Sequence, residues 1–365
     1  MFIHLDDSLL VEETDPRYGH VVRAVRNLAV AAFESKHILY GDYRIVVAMR
    51  KHFHYDHDVW AVFNQIYQAY SVMSCPKEIT YYLRVVIEAG EDGVDENGKR
   101  YGQVAYTAFE DSKSTQECNL ISEDFNDCKF YNHVLEHYKK WNSIKIPCRF
   151  NKVSGAGDRT VDNVVNCVYT NKQVTVCIVD TDKKYPEQEL SVKSTCHKCQ
   201  KVGKAIPTYK FVALDVQEIE NLVPFNVTDH FTWNEDNREN KQAFDGLRNN
   251  AHSEYVLPYF DIKNGIVNDE LLRIDASYRN YAMKCYYLHP TLSQHGDFDA
   301  YVRTLADKAV VYPHLLKGLL KAYLEFLDNG QKFDVELMEY QQMEWDKIGN
   351  AMLNMGCTRN KEAIL

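Results

Sequence analysis

The feature that most constrains this chain is a repeated exchange between two hydrophobic periods from Glu117 to Pro224. Short apolar runs rich in β-branched residues alternate with stretches whose apolar residues recur every three or four positions. The pattern predicts strand Glu117–Ser122, helix Cys128–Trp141, strand Arg149–Val153, helix Thr160–Tyr169, strand Gln173–Val179 and strand Tyr209–Leu214. Strands separated by amphipathic helices pair in parallel and are covered on both faces, so the fold class expected is α/β, with a Rossmann-like parallel sheet. In such sheets chemistry collects at the carboxyl ends of the strands. Glu123 follows the first strand, Asp180 and Asp182 the third, and Glu218 and Glu220 the last. Crowded carboxylates repel one another unless a cation lies between them. All-oxygen donors select a hard ion, so magnesium or manganese is expected there.

The flanking regions read differently. Residues 1–115 form an α+β region, with helix Tyr18–Ser35, strand Arg44–Met49, helix Val59–Tyr70 and strands Glu78–Ala89 and Gln103–Ala108 around an Asn97-Gly98 turn. Residues 116–225 hold the parallel sheet and residues 226–365 are mainly helical. Phe225–Gln242 is polar and acidic, with Asp229, Glu235, Asp236 and Glu239, and reads as a connection. Helical patterns then cover Asn268–Tyr287, Phe298–Leu327 with a split near Pro313, and Val335–Met355, with Asn329-Gly330 as a stop signal. No internal repeat is legible.

A net charge of −10 argues against a protein that coats nucleic acid by bulk electrostatics. The distribution is more telling. Seven lysines (183, 184, 193, 198, 201, 204, 210) stand against Glu187 and Glu189 directly after the Asp180/Asp182 pair. They suit a phosphate backbone, or else form a solvated loop. No apolar run approaches the roughly 20 residues that span a bilayer, and the first residues lack the pattern of a signal peptide. The ten cysteines are scattered through expected strands and helices, as buried reduced thiols would be. A cytoplasmic protein without a membrane is expected.

Each motif has a plainer reading beside the chemical one. Asp180 and Asp182, one residue apart, are expected to project to one side as the chain leaves a buried strand. An acidic turn balanced by Lys183 and Lys184 is the alternative. Asp124 and Asp127 sit where a helix macrodipole alone would favour them. Gly155 and Gly157 allow a tight turn or the close approach of a phosphate. Asp215 and Glu218 have capping-box spacing, which leaves Glu220 unexplained. Cys196-His197-Lys198-Cys199 lacks a second ligand pair for zinc. His52-Phe53-His54-Tyr55-Asp56-His57 matches the His-x-His-x-Asp-His spacing of metallo-β-lactamase-type zinc hydrolases, with a solvated helix N-terminus capped by Asp56 or Asp58 as the other reading.

Taken in order, Glu123, the Gly155/Gly157 turn and Asp180-Thr181-Asp182 resemble a TOPRIM domain, the catalytic fold of primases, type IA and type II topoisomerases and several nucleases. Asp124 departs from the glycine that usually follows the family's glutamate. Glu218-Ile219-Glu220-Asn221 is similar to a segment of TOPRIM nucleases of bacterial phage-defence systems, those related to the overcoming-lysogenization-defect family. The resemblance spans roughly 110 residues. It implies a divalent-metal-dependent nuclease acting on DNA or RNA, the effector of an antiphage system. Asp180, Asp182 and Glu218 or Glu220 would hold Mg2+ or Mn2+, and Glu123 would be a further ligand or the general acid or base. Gly155, Gly157, Lys183 and Lys184 would meet the substrate. No Gly-x-x-x-x-Gly-Lys-Ser/Thr occurs. The resemblance therefore implies a separate ATPase subunit as partner, with self-association left open. The two other readings are the zinc hydrolase around His52–His57 and a non-catalytic TOPRIM-like module that only binds nucleic acid.

Overall fold

The computed structural model describes residues 1–71, 74–203, 206–231, 235–289 and 291–359. The chain forms two compact units, one from Met1–Ile178, Lys198–Val212 and Lys347–Leu365, the other from Val179–His197 and Ala213–Asp346. These cut the chain differently from the division into 1–115, 116–225 and 226–365.

In the first unit, β1 (Phe2–Leu5), β2 (Ile38–Gly41), β3 (Tyr81–Val86), β4 (Gly93–Val94) and β5 (Arg100–Ala105) form one sheet in the order β2-β1-β3-β5-β4. Every pairing is parallel except β4 with β5. Ile3 lies in register with Leu39 and Leu83, and Leu5 with Val85; all are buried, a period-two core face. The helices of this region are α1 (Tyr18–Phe33), α2 (Tyr43–His52) and α3 (His57–Gln68). α1 buries Val21, Val25, Leu28, Ala29 and Ala32 at three- and four-residue spacing.

Arg44–Met49, expected as a strand, lies within α2. Ile45, Val46 and Met49 are buried while Arg44 and Val47 are exposed, which is the one-sided pattern of a helix. The six-residue window was too short to separate the two periods. Asp7, just past β1, fixes the helix start by accepting a hydrogen bond from the Ile45 N–H at 3.0 Å.

The second sheet comprises β6 (Cys118–Ser122), β7 (Phe150–Ser154), β8 (Thr175–Asp180) and β9 (Tyr209–Leu214), in the order β7-β6-β8-β9. β6 pairs in parallel with both β7 and β8. Between the strands run α4 (Phe125–Trp141), α5 (Thr160–Val165) and α6 (Thr195–Val202). The helix expected to reach Tyr169 stops at Val165 and opens into a wider turn, Asn166–Thr170. All of β6 and the first five residues of β8 are buried, as their unbroken apolar runs require. α/β architecture with parallel pairing is therefore present. Leaving aside the antiparallel β4, both sheets set their strands in the chain order second, first, third, fourth, an architectural repeat without a sequence repeat.

The second unit is largely helical. α7 (Glu235–Arg248) corrects the expected connection over Phe225–Gln242: Ala243, Phe244 and Leu247 give the helix a buried face beyond the polar stretch. The side chains of Glu235 and Asp236 lie outside the described residues. α8 (Ser253–Val256), β10 (Ile266–Val267), α9 (Asn268–Arg273), α10 (Ala276–Leu288), α11 (Phe298–Thr304), β11 (Val310–Tyr312), α12 (Leu319–Asp328) and α13 (Glu339–Gly356) follow. The helix expected over Asn268–Tyr287 is two, because Asp275 caps α10 by accepting from the Ser277 and Tyr278 N–H groups. The split foreseen near Pro313 is a short strand, β11, antiparallel to β10. Among the described residues no helix is long and apolar enough to cross a membrane.

Candidate active site

Asp124 and Asp127, at the carboxyl end of β6, are used structurally. The Asp124 side chain accepts from the Asn126 N–H at 2.8 Å. Asp127 Oδ2 accepts from the Asp124 N–H and from the Ser122 hydroxyl, each at 2.9 Å. This reciprocal cap occupies the position where the TOPRIM pattern has glycine. Glu123, between strand and cap, is half-buried and belongs to the first unit. Gly155 is required by packing: a Cβ there would stand 2.0 Å from Thr160 Oγ1 and 2.7 Å from the Ser122 carbonyl oxygen. Gly157 faces open space and has φ of +64°.

The other expected acids, Asp180, Asp182, Glu218 and Glu220, belong to the second unit. Asp180 ends β8 and is half-buried. Asp182 has φ of +54°, so the alternation that would send Asp180 and Asp182 to one side stops at Asp180. Backbone hydrogen bonds place Asp182 instead. Thr181 Oγ1 donates to the Val216 carbonyl at 2.8 Å, and the Asp182 N–H to the Gln217 carbonyl at 3.1 Å. The loop after β8 is thus stitched to the loop after β9, two residues before Glu218.

Asn221 holds that second loop. Its Oδ1 accepts from the Glu218 N–H at 3.0 Å, while its Nδ2 donates to the Leu257 and Phe260 carbonyls at 2.6 and 2.9 Å. The capping pair of the 3₁₀ turn Ile219–Leu222 is therefore Glu218 with Asn221, and not Asp215 with Glu218. From α13, Gln341 Nε2 donates to the Asn221 carbonyl, and the Trp345 indole to the Leu222 carbonyl, both at 3.0 Å. A third segment follows Phe260. Its tight turn returns the Gly265 N–H to the Asp261 carbonyl at 2.8 Å, with Gly265 at φ +75° where a Cβ would strike the Tyr312 carbonyl. That turn carries Lys263.

Lys263 Nζ lies 3.1 Å from Glu218 Oε2 and 2.8 Å from Glu220 Oε2. The Lys263 ammonium thus partners Glu218 Oε2 and Glu220 Oε2. Among the described residues no donor reaches Glu218 Oε1, a buried atom. Burial, then repulsion from Glu220, pushes the Glu218 carboxyl up to about 7 against the pull of Lys263. Burial opposes the charge on Lys263, but Glu220 and then Glu218 outweigh it and raise its pKa. Asp182 offers surface to solvent, yet the protein around its carboxyl raises its pKa, with Lys184 and Lys263 acting the other way. Asp182, Glu218 and Glu220 thus share the field of one lysine that sequence reasoning did not single out; the signal was the charge balance of two neighbouring glutamates.

Lys183 and Lys184 already have acidic partners. Lys183 Nζ donates to Asp215 Oδ1 at 2.7 Å, and Lys184 Nζ donates to Glu270 Oε1, whose other oxygen accepts from the Tyr278 hydroxyl at 2.8 Å. A phosphate would have to displace those carboxylates. Lys204 lies outside the described residues. All ten cysteines are free thiols, and Cys199 is buried in the first unit, its sulfur accepting a hydrogen bond from the Cys177 thiol.

The histidine motif does not converge. It follows α2, not the strand a metallo-β-lactamase layout needs. His52 Nδ1 lies 3.0 Å from the Tyr18 hydroxyl, His54 Nδ1 2.9 Å from the Lys51 carbonyl, and His57 Nδ1 3.2 Å from Asp58 Oδ1. Asp56 is at the start of α3 and pairs with Arg26 at 2.9 Å. Among the described residues no group of three or more His, Cys, Asp and Glu side chains is arranged to hold a metal ion, here or at the acidic group. No protein-family model, curated protein or solved structure matches the chain.

Proposed function

We propose that this chain is a divalent-metal-dependent nuclease whose active site is the acidic group of the second unit. The observation that carries the reading is the Glu218/Glu220 pair, two carboxylates sharing one ammonium, with the buried Glu218 Oε1 lacking a hydrogen-bond donor among the described residues. Such a pair is costly to bury unless further positive charge arrives. The donor chemistry, oxygens only, fits magnesium or manganese; Glu218 and Glu220 are the residues that would hold the ion, and Asp180 and Asp182, which the geometry does not gather with them into a metal-binding group, would have to move to join. Bound there, the ion would supply positive charge to the oxygens of a scissile phosphate. Without an ion the Glu218 carboxyl stands near 7, so binding an ion there would release its proton and should tighten as pH rises. Lys263 would yield part of its hold on the two glutamates to the ion. The TOPRIM resemblance extends the proposal to an antiphage effector working beside a separate ATPase subunit.

A second reading is supported by Lys263 itself: an ion pair that only knits the 3₁₀ turn to the Asp261–Gly265 turn, in a module that binds without cutting. Plasmid DNA and total RNA incubated in magnesium, manganese or EDTA, beside the Asp180→Ala/Asp182→Ala variant, separate the two. The nuclease reading expects cleavage with magnesium or manganese that is lost in EDTA and in the variant. Absence of cleavage, together with no heat of magnesium or manganese binding to the wild-type protein, would establish the second.

A further inference from the structure

The histidine-rich corner between α2 and α3 remains unused by the proposed active site, and it has its own chemistry. The corner carries Arg26, Arg44, Arg50 and Lys51 against Asp56 and Asp58, a balance of +2 with neutral histidines in a chain of net charge −10. The same corner is dense in aromatic rings that face solvent. Tyr55 is 91% exposed, Tyr43 49% and Tyr67 37%. These rings are already engaged in the contacts a base would reproduce. The Arg50 guanidinium sits 4.6 Å from the Tyr67 ring centroid and 5.9 Å from that of Trp60. Tyr43 stacks on Tyr67 at 6.1 Å, and His54 lies against Tyr55 at 3.6 Å.

Two hollows flank this corner. One, of about 580 Å³, is lined by Val47, Arg50, Lys51, His54 and Trp60. The other, of about 450 Å³, has Arg26, His52, Tyr55 and His57 in its wall. Its two acids, Asp56 and Asp58, are met by Arg26 and His57. Both are open to solvent, the form of a surface that a flexible strand could lie across and not of an enclosed ligand cavity.

We propose that the α2–α3 corner is a binding surface for single-stranded nucleic acid, with bases stacking on its exposed rings and phosphates meeting Arg44, Arg50, Lys51 and the histidines. Cations alone would suit any polyanion. Rings interleaved with cations suit a strand whose bases are unpaired, because stacked bases inside a duplex present no free faces. The inference deepens the nuclease reading by naming its substrate class, but binding at this corner needs neither metal nor cleavage.

Fluorescence anisotropy in EDTA tests it, using a labelled 12-nucleotide single strand as DNA and as RNA, the matching duplex, and a polyglutamate peptide. The wild-type protein should bind a single strand at 50 mM salt more tightly than the duplex or the peptide. Lys51→Glu/His54→Glu should weaken that binding at least tenfold, and Tyr55→Ala by about five-fold or more, in the range of one lost stacking contact. All three residues are exposed, so circular dichroism should show the fold unchanged, and Lys145→Glu, exposed elsewhere in the same unit, should bind as the wild type. No single-strand binding, equal binding of duplex or peptide, or indifference to these substitutions overturns the proposal. Binding of the strand with neither cleavage nor any heat of magnesium or manganese binding would leave this surface standing and remove the nuclease reading. Cleavage with binding indifferent to the substitutions would do the reverse.

Discussion

Glu218→Gln should make the protein more stable at pH 8 and leave it nearly unchanged at pH 4.5. In the folded chain this carboxyl is held near 7, against an ordinary value of 4.5, first by burial and then by Glu220. At about 1.4 kcal/mol for each pH unit, that difference amounts to about 3 kcal/mol. With 14% of its side chain exposed, solvent screening removes little of it. The sign follows from proton counting. Between pH 4.5 and 7 the folded chain keeps a proton that the unfolded chain has released, so stability falls as pH rises through this window. Below pH 4.5 both states are protonated and the group contributes nothing. Glutamine preserves the shape without the charge, and Lys263 retains Glu220 as partner. Urea denaturation in EDTA at steps from pH 4.5 to 8.5 would give the stability difference between variant and wild type. That difference should grow from near zero to about 3 kcal/mol in favour of the variant, with its midpoint between pH 5 and 7. A difference flat with pH, or a variant less stable at pH 8, would mean that Lys263 already satisfies Glu218, and would remove the electrostatic case for an additional cation.

Two other substitutions test how the site is held. Asn221→Leu removes one acceptor and two donor bonds from a fully buried amide and leaves three backbone groups unpaired; at about 1–3 kcal/mol for each such group, a loss of at least about 3 kcal/mol should appear in urea denaturation, and a loss below about 1 kcal/mol would refute its scaffolding role. Gly155→Ala should cost more than Gly157→Ala in the same assay. The first drives a Cβ against Thr160 and the Ser122 carbonyl, an overpacking of about 1–3 kcal/mol, whereas the second adds only the strain of a positive φ, about 1 kcal/mol. The reverse order would show that the turn after β7 relaxes freely.

The second sheet was legible because its central strands, β6 and β8, are buried on both faces and therefore nearly unbroken in hydrophobicity, as in Val176–Val179. The first sheet was less so. β1 and β2 have four residues each, too few for any period to declare itself, and the helical face Ile45, Val46, Met49 occupies a window that a strand could also fill. The acids of the candidate site were found because they follow strands, a property of chain order. Their actual placement was not, because it depends on bonds between segments far apart in sequence. Asp182 turns with a positive φ toward Gln217, and Lys263 arrives from a turn some forty residues later. A lysine among 42 basic residues has no local signature. What the sequence did contain was the demand for it, two glutamates one residue apart at a buried turn.

The two sheets offer an internal comparison that bears on where chemistry resides. Each has its reversal of strand order between the first and third strands, and each has acids following its strands. In the first sheet those acids are spent. Asp6 takes the Ser8 N–H and Arg84, at 2.7 and 2.6 Å. Asp7 caps α2 through the Ile45 N–H at 3.0 Å, and Asp42 receives the Asp7 N–H at 2.9 Å and meets His4 at 3.1 Å. Consistent with this, the pKa values of Asp6 and Asp42 are lowered; burial opposes the lowering, while hydrogen bonds from Ser8 and His4 and the charge of Arg84 drive it. Glu218, following β9, has a carboxyl raised to about 7 and a buried oxygen without a donor among the described residues. Acids that complete a fold are stabilised as anions by the fold, whereas acids kept for a reaction or a ligand are left wanting a proton or a cation. By that criterion the acids of the first sheet belong to its architecture, and the Glu218/Glu220 group is where a cation and a substrate should be sought.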